Sequence, residues 1–131
     1  MTIVLDSWAV LRYLEDAGDA APTVADLLDR DRPLMSWINL GEVHYVLRRR
    51  LGEEDAAETV RDLREVIDAR LPDERLVLDA ARLKADHAIA YADAFAAALA
   101  VAHDATLWTG DPELLFDGSP WRWHDLRSGL R

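Results

Sequence analysis

The sequence predicts an α/β protein: a three-layer α/β/α domain whose central, mainly parallel sheet has four to five strands. Three observations carry this expectation. Short apolar runs, Ile3-Val4-Leu5, Leu34-Met35-Ser36 and Thr106-Leu107-Trp108-Thr109, alternate with longer segments whose apolar residues recur at helical spacing. The first run is apolar throughout, as a strand buried on both faces should be. Asp6 directly follows the first run and Asp111 closely follows the last, which puts charge at the carboxyl edge of a parallel sheet, where open α/β folds place their ligands. At 131 residues, the chain suffices for one domain, 1–131, with a full core and right-handed connections.

Taken in order, Ile3-Val4-Leu5 is the first strand, and residues 7–16 read as a helix with Ser7 as N-cap. Gly18 lies near its end, and Pro22 is expected to start a second helix carrying Val24, Leu27 and Leu28. Pro33 breaks that pattern. Leu34-Met35-Ser36 is the second strand, and a helix with Leu40, Val43, Val46 and Leu47 runs to Leu51 before Gly52. Residues 53–71 read as one more helix, with Ala57, Val60, Leu63, Val66 and Ile67 on one face and Pro72 as its stop. Arg75-Leu76-Val77-Leu78 is expected to be a third strand, with Asp79 capping a helix through about His87. Tyr91-Ala92-Asp93 opens a helix of Ala, Leu and Val to Ala102, apolar enough to be buried on most sides. Thr106–Thr109 is the next strand, Gly110-Asp111-Pro112 a turn, and Trp121-Arg122-Trp123 a short edge strand before a loose end.

Composition narrows the function. Half the residues are hydrophobic, no apolar run approaches the length of a membrane span, and the N-terminus carries no secretory pattern. There are no cysteines, hence no disulfides, thiolate nucleophiles or thiolate metal sites. A cytoplasmic protein with no membrane partner is the expectation. The formal net charge of −10 argues against coating nucleic acid by bulk electrostatics. It leaves room for a nuclease, since carboxylates around a metal are neutralised when the cation binds. The basic residues are arginines apart from Lys84, and arginine suits bidentate phosphate contacts. The run Arg48-Arg49-Arg50 serves equally as a solvated helix end or as a substrate contact.

Four acids stand out by position. Asp6 and Asp111 close strands, Glu42 lies between Leu40 and Val43 in an apolar helix, and Asp93 sits in the first turn of the most apolar helix. Each of three has a local alternative: Asp6 and Asp93 as helix caps, Asp111 as an Asp-Pro turn residue. Glu42 has none. Ionised carboxylates in such surroundings need a partner, and cations are scarce nearby in the sequence. Bound Mg2+ or Mn2+, one ion or two, would supply that charge through hard oxygen ligands, and so equip the site to cut a phosphodiester.

Asp6-Ser7, Ser36 followed by Glu42-Val43, Ala92-Asp93-Ala94-Phe95-Ala96-Ala97-Ala98-Leu99-Ala100 and Leu107-Trp108-Thr109-Gly110-Asp111 together resemble the PIN-domain ribonucleases, most of all the VapC-type toxins of bacterial toxin–antitoxin pairs. The likeness spans essentially the whole chain, and the third and fourth blocks are its most specific parts. The resemblance implies a PIN fold, metal-dependent endonucleolytic cleavage of RNA, a homodimer, and inhibition by a small DNA-binding antitoxin whose helix occupies an apolar groove. It carries the family's acids onto Asp6, Glu42, Asp93 and Asp111, its supporting hydroxyls onto Ser7 and Thr109, and a polar neighbour onto Asn39. Trp108 is bulkier than the small aliphatic residue expected before Thr109.

By the same reading Asp6, Glu42 and Asp93 are principal metal ligands, and Asp111 is a ligand or orients the attacking water. Other chemistries fit less well. A haloacid-dehalogenase-like phosphatase wants a second Asp where Trp8 stands, and a phospho-acceptor receiver wants paired acids after the first strand and a lysine after a late one. His44, His87, His103 and His124 read as surface or packing residues, which disfavours acid–base catalysis by histidine. Trp8, Trp37 and Trp108 are expected to pack under the site, and Trp121 and Trp123 to cover the sheet edge in preference to stacking on bases. The apolar faces with Leu11, Leu14, Leu27, Leu28, Val43, Val46 and Leu47 are read as core, with part of that surface available as the antitoxin groove.

Overall fold

In a computed structural model, which describes residues 1–127, five parallel strands form one sheet in the order β3-β2-β1-β4-β5. They are β1 (Ile3–Leu5), β2 (Leu34–Ser36), β3 (Asp68–Arg70), β4 (Thr106–Thr109) and β5 (Arg122–Asp125). The helices are α1 (Ser7–Leu14), α2 (Ala20–Arg30), α3 (Trp37–Leu51), α4 (Glu53–Val66), α5 (Glu74–Asp86) and α6 (Tyr91–Ala102), with a 3-10 turn at Pro112–Leu114. The expectation of a loose end concerns residues 128–131, outside the described residues.

Alternation along the strands sorts side chains into two cores. Ile3, Leu5, Met35 and Trp108 pack with Val10, Val24, Leu40 and Leu63 from α1–α4. Val4, Leu34 and Leu107 face the other way, onto Leu76, Ala80, Phe95 and Leu99 from α5 and α6. Both faces of the sheet are covered, which yields the three layers. The strand order reverses between β1 and β4, so the carboxyl ends of these two strands flank the switch point of the sheet.

Several local expectations are corrected. Asp6, not Ser7, caps α1: its Oδ1 accepts the Ala9 N–H at 2.9 Å, and the helix ends at Leu14. Helix α2 begins at Ala20, so Pro22 falls inside its first turn, where a missing N–H costs nothing. The segment expected to be helical to residue 71 stops at Val66, and Asp68–Arg70 becomes strand β3. Nothing in Asp-Ala-Arg favours a strand. Pairing beside β2 makes it one, beginning with the Asp68 N–H to the Pro33 carbonyl at 2.8 Å. The inward positions of α4 are accordingly Ala56 and Leu63, with Ala57 and Val66 exposed.

The strand expected at Arg75–Leu78 is the opening of α5. Asp73 caps it by accepting the Leu76 N–H at 2.9 Å, and Leu76, Ala80 and Leu83 turn inward at helical spacing. Asp79 is thus interior to the helix, bonded to Arg82 at 2.9 Å. The last strand is shifted slightly from the expected run. Trp121 and Trp123 cover the sheet edge, their Nε1–H groups donating to the Leu114 and Phe116 carbonyls at 3.0 Å each.

Helix α6 is what brings the chemistry inward. Its residues from Asp93 to Ala100 are all buried, and its alanines let it lie close against β1, β2, β4, α3 and α5. Among the described residues no single helix is long and apolar enough to cross a membrane. Gly110, just past β4, has no room for a side chain, because a Cβ there would overlap the Trp8 indole.

Candidate metal centre

Each acid arrives on a different element. Asp6 closes β1, Glu42 lies in the second turn of α3, Asp93 in the first turn of α6, and Asp111 follows β4. Asp6 is fully buried. Beyond its bond to the Ala9 N–H, its Oδ2 accepts from the Thr109 hydroxyl. The same Thr109 oxygen accepts the Asp111 N–H at 3.0 Å, and Asp111 Oδ1 accepts the Glu113 N–H at 3.1 Å. One hydroxyl therefore ties the ends of β1 and β4 together and fixes both acids.

Glu42 is held from the other side. Ser7 Oγ donates to its Oε1 at 2.8 Å and Asn39 Nδ2 donates to the same oxygen at 3.2 Å. Asn39 also donates to the Ala92 carbonyl at 3.1 Å, linking α3 to the residue before Asp93. The Asn39 amide is fully buried, and among the described residues its Oδ1 has no partner.

Charge is concentrated here without relief. Burial pushes Asp6 from its ordinary 3.8 up to about 7, against the opposing hydrogen bonds from Thr109 and Ala9, with Asp111 and Glu42 adding repulsion. Asp93 is raised to about 8, chiefly by burial, then by a hydrogen bond and repulsion from Asp111, then by Asp6 and Glu42. The first-turn position of Asp93 favours an anion, but desolvation outweighs it. Among the described residues no arginine, lysine or histidine forms a salt bridge with any of these four acids.

The seven residues named from the sequence lie in one neighbourhood, where Asp93 feels the charges of Asp111, Asp6 and Glu42, and Ser7, Asn39 and Thr109 bond to Glu42 or Asp6; Asp6 and Glu42 are not in the tightest carboxylate group. Glu113 joins them unforeseen. Carboxylate oxygens of Asp93, Asp111 and Glu113 lie within 4.8 Å of one another. The signal for it was an acid two residues beyond Asp111 in a strand-end turn, which the capping geometry swings back to the cluster. The histidines stay out: His44 reaches Glu53, His87 packs on Phe116 and Trp121, and His124 on Trp108.

A set of hard-oxygen donors, two of them buried, that among the described residues has no salt-bridged cation and includes no thiolate or imidazole, suits Mg2+ or Mn2+. A family model described as PIN domain matches residues 3–117. No curated protein matches the chain. Among solved structures, the chain is similar to VapBC2 from Rickettsia felis bound to a DNA fragment from their promoter (15% identity, 95% of this chain and 98% of that one, TM-score 0.75). It is similar to VapBC-1 from nontypeable Haemophilus influenzae (22% identity, 95% and 98%, TM-score 0.73). It is also similar to VapC20 of Mycobacterium tuberculosis, a toxin cleaving the sarcin–ricin loop (20% identity, 91% and 92%, TM-score 0.68). At these identities the likeness is one of fold.

Proposed function

Because the chain belongs to the PIN domain family, we propose that it is a metal-dependent endoribonuclease acting as the toxin of a toxin–antitoxin pair in the cytoplasm. The observation that carries this reading is the acid cluster at the switch point: Asp6 and Asp93 are buried, Glu42 and Asp111 half-buried and Glu113 exposed, and among the described residues none of them is in a salt bridge. Asp6, Glu42, Asp93 and Asp111, with Glu113, would hold Mg2+ or Mn2+. When bound, one or two such ions supply the charge that offsets the scissile phosphate and lower the proton affinity of a nearby water.

The chain's own groups organise the rest. Thr109 fixes the Asp6 carboxylate and the backbone at Asp111, so that both present oxygens to one space. Ser7 and Asn39 both donate to Glu42 Oε1, which aims the Glu42 carboxylate and leaves Oε2 outside these two bonds. Without a cation, burial and then the neighbouring Asp111 favour the protonated form of Asp93; ligation by its charged form therefore displaces a proton.

The partner of such a toxin is a small DNA-binding antitoxin with a helix laid into an apolar groove. Leu11, Leu14, Leu28 and Val46 remain half-buried on α1, α2 and α3, which leaves apolar surface of the required kind. We assign a homodimer by analogy with the family.

The test is incubation of partner-free protein with a pool of structured RNAs, with Mg2+ or Mn2+ and with chelator. Internal cleavage that requires the cation is expected. Intact RNA across the whole set, from folded and cation-loaded protein, would favour a PIN-fold module that acts by binding proteins.

A further inference from the structure

The arginine run at the end of α3 is not one feature but three. Arg48 pairs with Glu53 at 2.7 Å, and Arg50 pairs with Glu15. Arg49 makes no salt bridge among the described residues; its guanidinium carbon lies 5.0 Å from the centroid of the Tyr45 ring. Ile38, Glu42, Tyr45 and Arg49 follow helical spacing and share one stripe of α3. The Tyr45–Arg49 pair therefore continues the line of the helix outward from the Glu42 carboxylate.

Helix α6 offers a counterpart. Tyr91 opens it two residues before Asp93, steadied by Phe95, whose ring centroid is 5.0 Å away in an edge-on arrangement. Tyr45 and Tyr91 are each 46% exposed. Among the described residues no other tryptophan, tyrosine or phenylalanine is exposed. Among the described residues every other such ring is buried or half-buried, while these two lie one turn beyond Glu42 on α3 and at the start of α6, two residues before Asp93.

We propose that Tyr45, Arg49 and Tyr91 form the platform that reads substrate, with unpaired RNA bases next to the scissile phosphate stacked on the two rings and a backbone phosphate bound by Arg49. This rests on the ribonuclease reading above. Aromatic faces accept any base, and a guanidinium over a ring adds cation–π attraction. In a duplex the base faces are already covered, so the platform selects single strands, loops or splayed bases. With a net charge of −10, the protein as a whole repels a polyanion, and a cation two turns beyond Glu42 on α3, in no salt bridge among the described residues, has a correspondingly larger effect.

The experiment measures Mn2+-supported cleavage of a quenched fluorescent single-stranded RNA by wild type, Tyr45→Ala, Tyr45→Phe, Tyr91→Ala and Arg49→Gln. Each alanine variant should raise KM at least about fivefold with kcat within twofold of wild type, and Tyr45→Phe should retain the wild-type KM. Arg49→Gln should weaken binding and lower the salt dependence by about 0.7 in log–log slope, one phosphate's share on a single strand. An abasic nucleotide beside the cut should abolish the difference between wild type and Tyr45→Ala, which a merely structural tyrosine would not do. Wild type that cuts while every variant keeps its KM overturns the platform and leaves the ribonuclease reading standing. A fall in dimer mass with unchanged KM overturns it in favour of a self-contact, and wild type that cuts no RNA overturns both readings.

Discussion

Asp93→Asn is expected to lower RNA cleavage by about a thousandfold or more, and at the same time to stabilise the cation-free protein. The two effects share one cause. Asp93 is buried in the first turn of α6 and crowded by Asp111, Asp6 and Glu42, so its ionised form is disfavoured until a cation arrives. Asparagine keeps the shape and can still donate to Asp111, but removes a ligand and a charge. Loss of a group that acts only with its neighbours as a unit has effects of this size. The stabilisation at pH above 8 should be on the order of 2 kcal/mol, a rise of several degrees in the unfolding midpoint. Initial cleavage rates and thermal unfolding in chelator, on the same preparations, read both.

The cation-free protein is also expected to lose stability as pH rises from about 5 to 9. Asp6 goes from 3.8 unfolded to about 7 folded, and Asp93 from 3.8 to about 8. A raised folded pKa means the folded state binds the proton more tightly. That contribution is complete below about pH 4 and disappears as pH passes through 7 to 8. For Asp6 alone the interval is worth on the order of 4 kcal/mol. Glu53, Asp68 and Asp125 shift the opposite way beside Arg48, Arg70 and Arg127. Their share is lost only as pH falls below about 4, so the two windows do not overlap. Unfolding midpoints measured across pH in chelator should fall through neutrality; a flat profile would mean that the acids are hydrated and uncoupled.

Much of this was legible in the sequence because the site is made by strand ends. Asp6 and Asp111 follow short apolar strands whose character is unmistakable, and Asp93 opens a helix too apolar to lie anywhere but inside. Glu42 was found by having no local reason to be where it is. What escaped depended on distant pairing. Asp68–Arg70 has no strand propensity and becomes β3 only because β2 lies beside it. Leu76-Val77-Leu78 has the composition of a strand, but Asp73 starts a helix in front of it. Glu113 reaches the cluster through the turn that Asp111 caps, a geometry that spacing alone does not reveal. Ser7 lost its expected capping role to Asp6 and instead holds Glu42 through a bond across 35 residues. The division of Arg48, Arg49 and Arg50 into two paired side chains and one in no salt bridge among the described residues likewise depends on Glu15 and Glu53, which the run itself does not contain.

The most direct test of the central claim, that these acids form one cation site, is a calorimetric titration of partner-free protein with Mn2+ at pH 8. Saturable binding is predicted for the wild type, weakened at least about tenfold by Asp93→Asn and accompanied by proton release. A wild type that takes up no Mn2+, or an Asp93→Asn variant that binds it equally well, would contradict the account.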